Sequence, residues 1–386
     1  MLVTGFTLSQ FFRTFPAAVA PEMAADLHTD AAGLGTAASL FFFAFGLAQV
    51  PMGAALDRLG AGRVSGAGLL VCAAGTVGMI LAPGLPLAMV AFATLGLGCA
   101  PLYMAVLHWL ARHRPSGRFV PLAALAGVLG MTGSLVAAGP LAWAAAGIGW
   151  RGALGIAAAL SALFALLDLA LVRDHGAAAG EGPRDILRGV ARAAATRALW
   201  PLLPLCLVAA GVGLAFRTVW TGPYLLDVFG LGPGPRGTAV TVVALGALGG
   251  MMLASPLARR FGARGATLVV SVPVVAALLV LALAPAADPW LSVALLALAA
   301  TYGCSHTFLM AQGRGFLPDA LVGRGLGLLN SLVFLGIGLV NAGIGAVIGA
   351  WDGPPSDRYG AAFAGMALLV ALALPPYLLS RDPPAR

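Results

Sequence analysis

Apolar runs of about twenty residues recur along the chain, each closed by a short polar or glycine-bearing break. They lie at approximately 3–25, 33–56, 64–83, 86–110, 119–141, 150–172, 201–226, 237–257, 265–285, 289–312, 324–349 and 359–380. A run of that length spans the ~30 Å hydrocarbon core of a bilayer as a helix. Proline and glycine inside such runs are ordinary, because neighbouring helices re-satisfy the freed backbone groups. Residues 173–200 interrupt the series with Arg173, Asp174, Glu181, Arg184, Asp185, Arg188, Arg192 and Arg197. The pattern therefore predicts an all-α membrane protein of twelve transmembrane helices. A six-helix bundle over 1–172 and another over 201–386 are joined by a cytoplasmic linker at 173–200. The stretch Asp185 to Trp200 reads as a basic amphipathic helix on the membrane surface or as a solvated connection.

Composition makes the same assignment. Of 386 residues, 60% are hydrophobic and 9% charged, more apolar surface than a soluble chain can hide. The net charge of +8 comes wholly from arginine, since the chain has no lysine. With both termini cytoplasmic, seventeen arginines fall on the cytoplasmic side and Arg151, Arg236 and Arg358 on the other, as the positive-inside rule requires. The basic balance therefore calls for no nucleic-acid partner. The expected location is an inner or plasma membrane, crossed many times. Cys72, Cys99, Cys206 and Cys304 lie in apolar runs and suggest neither disulfides nor a metal knuckle. The start carries no basic n-region or cleavage motif, so no cleaved signal is expected. No Walker loop, paired catalytic carboxylates or Ser/His/Asp set is present, so neither an enzyme nor a cofactor is expected. The expected partners are a small-molecule substrate and the bilayer, and the chain is expected to be a monomer.

The two halves repeat one another. Phe12-Arg13-Thr14 recurs as Phe216-Arg217-Thr218, 204 residues later, and Gly98-Cys99-Ala100 as Gly303-Cys304-Ser305, 205 residues later. Leu59-Gly60-Ala61 recurs as Phe261-Gly262-Ala263. Parallel repeats of this kind place a substrate site between the halves near the midplane.

Between the second and third runs stands Gly53-Ala-Ala-Leu-Asp57-Arg58-Leu-Gly60-Ala-Gly62-Arg63. It resembles the helix 2–3 loop of the major facilitator superfamily, G-x-L-A-D-R-x-G-R-R. Gly53, Asp57, Arg58, Gly60 and Arg63 match, Ala55 replaces the leucine, and Ala61 and Gly62 stand where basic residues are usual. The resemblance implies secondary transport by alternating access. It also implies a gating role for these five residues and a cavity lined by helices 1, 4, 7 and 10.

Arg13 lies about 11 residues, or roughly 16 Å, into the first run, near half the core thickness. An arginine at that depth costs at least about 2.5 kcal/mol unless it meets a wet cavity or a counter-ion, so it is a functional candidate. Ser9 and Gln10 share its face. Arg217 is its repeat equivalent, with Trp220, Thr221 and Tyr224 on its own face. Two guanidiniums converging on one cavity would trap a small organic or inorganic anion, because the arginine fork matches carboxylate and phosphate oxygens. The pair is similar to the helix 1 and helix 7 arginines of organophosphate:phosphate antiporters in that superfamily. His306, Tyr103, Tyr224, Trp220, Gln10 and Asn330 are expected as further substrate contacts.

Proton coupling has two candidates, Glu22 and His306, the latter for its pKa range. Two alternatives to the anion remain. One is export of amphipathic compounds or drugs, favoured by Phe11, Phe15, Trp220 and Phe308. It is weakened by Phe92 where drug exporters carry arginine, and by Leu-Ala-Trp-Ala after Gly139-Pro140. The other is Cu(I) import, through Met104 with His108 and His306 with Met310, soft ligands spaced four apart. Asn341 is expected to hold helices together.

Overall fold

The computed structural model describes residues 1–113, 116–172, 183–318 and 321–382. The expected linker residues 173–182 and Arg114 lie outside the described residues. Among the described residues the regular structure is helical throughout. The helices are apolar inside and out. Residues such as Leu47, Met252, Val272 and Leu283 are exposed on the outer surface, where hydrocarbon rather than water must solvate them.

The first path is α1 (Leu2–Thr14) and α2 (Pro16–Asp26), broken at Phe15 because Pro16 offers no backbone N–H. Asp30 caps α3 (Ala31–Leu59), its carboxylate accepting from Gly33 N at 2.7 Å, which satisfies one orphan donor of the first turn. Gly60, at φ 83° and ψ 169°, turns α3 into α4 (Ala61–Ile80). Then follow α5 (Leu85–Cys99), α6 (Leu102–His113), α7 (Ser116–Val136) and α8 (Gly139–Leu171). The fifth crossing runs past a break at residues 137–138 and on to Gly149 (φ 72°, ψ 158°), which interrupts α8. The pattern ends that crossing at 141, too early.

The chain then runs through α9 (Pro183–Ala194) into the second half, with α10 (Leu203–Ala215), a π-helical turn at Phe216–Trp220, and α11 (Thr221–Phe229). It continues through α12 (Pro233–Leu283), α13 (Pro289–Ala300), α14 (Ser305–Phe316), α15 (Val322–Ala350) and α16 (Pro355–Leu378). Gly262 (φ 70°, ψ 173°) interrupts α12. Gly60 and Gly262 are the repeat-related glycines, and both adopt a region that is essentially closed to side chains. Among the described residues nine helical runs are long and apolar enough to cross a membrane. The expected twelve is reached only by dividing two of them at Gly149 and Gly262 and adding α1–α2. The expected surface helix is real in part. The helix α9 packs against α15, with the Arg324 side chain lying on Gly189, so it is docked on the bundle rather than a free connection.

The halves meet along two seams, α3 against α15 and α8 against α12. At the ends remote from the N-terminus the seams are tight. Gly139 N donates to Thr241 Oγ1 at 3.1 Å, and the Trp220 ring lies on Gly35 and Gly345. Any Cβ at Gly222 would strike the Ala17 carbonyl. The cavity between the halves extends from mid-depth toward the end that holds the N-terminus.

Candidate functional site

Between the halves lies a cavity of about 490 Å³, walled by α1, α3, α6, α10, α14 and α15 among others. Its depth follows from helix rise. Arg13, Ala100, Gly303 and Ile337 mark the deep end. Phe6, Leu107, Met310 and Gly323 lie two or more turns nearer the N-terminal end, roughly 10 Å away along α1. Neither Asp nor Glu is among the described residues that line it.

Arg13 and Arg217 both line this cavity. Arg13 reaches it from the last turn of α1. Its guanidinium carbon lies 4.4 Å from the Phe45 ring centroid and 5.0 Å from that of Phe334, so ring quadrupoles face its charge. Its Nη2 donates to Ser9 Oγ at 3.4 Å, and Nε has no partner among the described residues. Arg217 sits in the π-helical turn, a distortion often found at functional sites. Only 5% of it is exposed, and its Nε and Nη1 donate to no acceptor among the described residues. The carboxylates farther along the same two helical paths are engaged elsewhere. Glu22 accepts from Arg236 Nη2, and Asp227 Oδ2 accepts from Tyr359 Oη at 2.8 Å.

A polar chain crosses the cavity wall beside Arg13. His306 Nε2 donates to Asn330 Oδ1 at 3.0 Å, and Asn330 Nδ2 donates to Gln49 Oε1 at 2.7 Å. Gln49 Nε2 then donates to the Ala100 carbonyl at 3.4 Å. The direction of each bond fixes the next, so the imidazole carries its proton on Nε2. Gln10, Tyr103, His306 and Asn330 line the cavity as expected from the sequence. Gln10 Nε2 donates to Met131 Sδ at 2.9 Å, leaving Oε1 without a partner.

Other expectations are corrected. Trp220 does not line the cavity; it is fully buried, and Nε1 donates to Asn341 Oδ1 at 3.1 Å. This is the helix-packing role expected of Asn341. Tyr224 is also outside the cavity, its hydroxyl bonded to the Pro285 carbonyl (2.6 Å) and Ser292 Oγ (3.0 Å). The π-helical turn shifts the face that regular helical spacing assigns to residues beyond Arg217. Glu22 lies at the far end of α2, paired with Arg236 and away from the cavity. Phe11, Phe15 and Phe308 are core residues; the aromatic wall is Phe6, Phe45, Tyr103 and Phe334.

Met104, His306 and Met310 line the cavity, but His108 does not. Its Nδ1 lies 3.7 Å from Asp57 Oδ1, so the Met104–His108 pair does not face a common ion. Among the described residues no cluster of three His, Cys, Asp or Glu could hold a metal. Asp57 therefore contacts its own half in this state, while Gly53 packs near Met104 Cε and Arg63 is exposed. Gln49, Phe45 and Phe334 escaped the sequence reading. Gln49 had a signal, an amide deep in an apolar run.

Comparisons with known proteins agree with this architecture. The family profile described as Major Facilitator Superfamily matches residues 2–341. No curated relative matches by sequence. Among solved structures the chain is similar to a mutant form of the nucleoside transporter NupG. The TM-score is 0.75 at 16% identity, covering 98% of this chain and 99% of that one. It is also similar to a bacterial homologue of the human lysosomal transporter Spinster, in an inward-facing and occupied conformation. There the TM-score is 0.73 at 17% identity, over 98% and 95% of the chains. A D-xylose–proton symporter gives 0.74 at 14% identity, over 96% and 95%. At these identities the likeness concerns the fold alone. With the family match over most of its length and the two-halved bundle around a central cavity, the chain belongs to the Major Facilitator Superfamily and is a multi-pass secondary transporter, not an enzyme.

Proposed function

We propose that this transporter moves a small organic or inorganic anion, bound between Arg13 and Arg217, by alternating access. The observation that carries the reading is the unneutralised charge. Two arginines line one cavity with no carboxylate on its wall among the described residues, and Arg217 is nearly fully buried with Nε and Nη1 unpaired. A charge so placed is costly until an anion or water meets it. A bound anion would offset the repulsion between the two guanidiniums and draw the halves together, coupling binding to closure at the N-terminal end. Gln10, Tyr103, His306 and Asn330 are assigned to the wall of the binding cavity, beside the bound anion rather than on its oxygens. The proposed orientation keeps both termini cytoplasmic in an inner or plasma membrane, so this cavity faces inward. The protein is taken to act as a monomer. Gly53, Asp57, Arg58, Gly60 and Arg63 are assigned to the inward gate, which would form when Asp57 exchanges His108 for partners in the other half. The domain division at 173–200 fits the same scheme.

The nucleosides and xylose named for two structural neighbours are neutral, and their proteins share only the fold with this chain. Their cargo does not decide this one. Copper is disfavoured, because a cation would enter between two arginines.

Counterflow in proteoliposomes tests the mechanism. An anion exchanger keeps exchanging labelled substrate without a pH gradient, in wild type and in His306→Gln. Flux that needs the gradient and disappears in His306→Gln would replace exchange by proton coupling through His306.

A further inference from the structure

We infer that the ligand of this cavity is an amphipathic organic monocarboxylate, its carboxylate held at Arg217 and Arg13 and its apolar body lying toward the N-terminal end. This rests on the anion reading above and narrows it to one chemical class.

The count of available donors sets the head group. Arg217 holds Nε and Nη1 without an acceptor among the described residues, so its guanidinium is the donor group left to meet a head group on this wall. Arg13 offers less, because two phenyl rings flank its guanidinium and Nη2 is turned to Ser9. The neighbouring amides and imidazole are spent on one another in the His306–Asn330–Gln49 chain. The one unpaired atom of Gln10 is Oε1, an acceptor that would repel an anionic oxygen. Phosphate, with four oxygens and up to two charges, would leave several acceptors unpaired in an apolar site, at a cost for each. A carboxylate presents two oxygens and one charge, and the free arginine donors can meet it bidentately.

The wall beyond the arginines sets the body. From Arg13 to Phe6 the cavity runs about 10 Å along α1. That stretch is faced by Phe6, Tyr103, Met104, Leu107 and Met310. Met side chains fill irregular gaps and adapt to varied apolar shapes. An acetate-sized anion would leave this wall wet, while an alkyl or aryl body would cover it.

The test is isothermal titration of purified full-length protein in nanodiscs, against acetate, butanoate, hexanoate, octanoate, 3-phenylpropanoate, inorganic phosphate and octanamide. Affinity should rise about threefold to fourfold per methylene through the series. Octanamide, the neutral isostere, should bind at least about tenfold more weakly than octanoate. Phosphate should compete poorly. Arg217→Gln should remove octanoate binding, and because both proteins sit in the same lipid this separates the site from partition into bilayer. Met104→Ser with Met310→Ser should flatten the chain-length series. Phosphate or acetate binding as tightly as octanoate, and lost in Arg217→Gln, overturns the monocarboxylate class and leaves the anion reading standing. Octanamide matching octanoate, or no anion binding at all, overturns both.

Discussion

Asn330 Nδ2 donates to Gln49 Oε1 at 2.7 Å, a hydrogen bond that joins α15 of one half to α3 of the other across the cavity wall. Asn330 also accepts from His306, so the two amides form the centre of a chain from α14 to the Ala100 carbonyl. Inside an apolar bundle such a bond outlasts competition from water.

Its contribution is measurable as a coupling. Gln49→Ala and Asn330→Ala should each lower thermal stability, and the double variant should lose less than the sum, by about 1 kcal/mol. The readout is the unfolding midpoint in detergent. Additive losses would mean that the two side chains do not share this bond in solution.

Arg217 yields a prediction of opposite sign for stability and function. Arg217→Gln removes a buried, unpaired charge, so the ligand-free protein should become more stable, by about 1–3 kcal/mol. Substrate binding should nearly vanish. Arg13→Lys and Arg217→Lys keep the charge and lose the planar fork, so affinity should fall about tenfold or more. A drop in ligand-free stability for Arg217→Gln would reveal a structural partner and sink the binding role.

At the far end, Glu22 of α2 pairs with Arg236 of α12, whose side chain is 3% exposed. The pair crosses the two halves where the seams are closed. Glu22→Gln removes the carboxylate paired with buried Arg236 and leaves Asp227 as the nearby negative charge. Because Glu22 is 37% exposed, the loss is discounted to about 1–3 kcal/mol. It should loosen that end. A cysteine introduced at Ala142, which packs on Gly237, should react with maleimide faster in this background. The four native cysteines are buried and give a low background. An unchanged rate would show that the ion pair does not hold the closed end.

The repeat-related turns supply a control on the fold. Gly60→Ala and Gly262→Ala place a side chain at φ 83° and φ 70°. Each should cost about 1–3 kcal/mol, seen as a lower thermal midpoint. Gly343→Ala, a helical position with open space around it, should cost nothing or stabilise slightly. Equal effects at all three positions would argue against strain as the cause.

The bundle was legible from the chain because spanning a membrane imposes a length and a composition on every helix. The repeat of Phe-Arg-Thr places Arg13 and Arg217 in equivalent helices, and the cost of a charge at mid-depth marks both as functional candidates. The Asp57–Gly60 turn was equally readable, since only glycine serves the backbone there. Tertiary structure decided the rest. Trp220 and Tyr224 were assigned to the cavity by regular helical spacing, and the π-helical turn at Phe216–Trp220 rotated them into the packing between helices. Glu22 and His108 found partners, Arg236 and Asp57, on helices distant in sequence. Gln49 became part of the site only because α3 packs along α15. Periodicity records which residues prefer hydrocarbon; it does not record which helices meet, and in a bundle that is apolar on every face, the meeting of helices decides which polar side chain finds which partner.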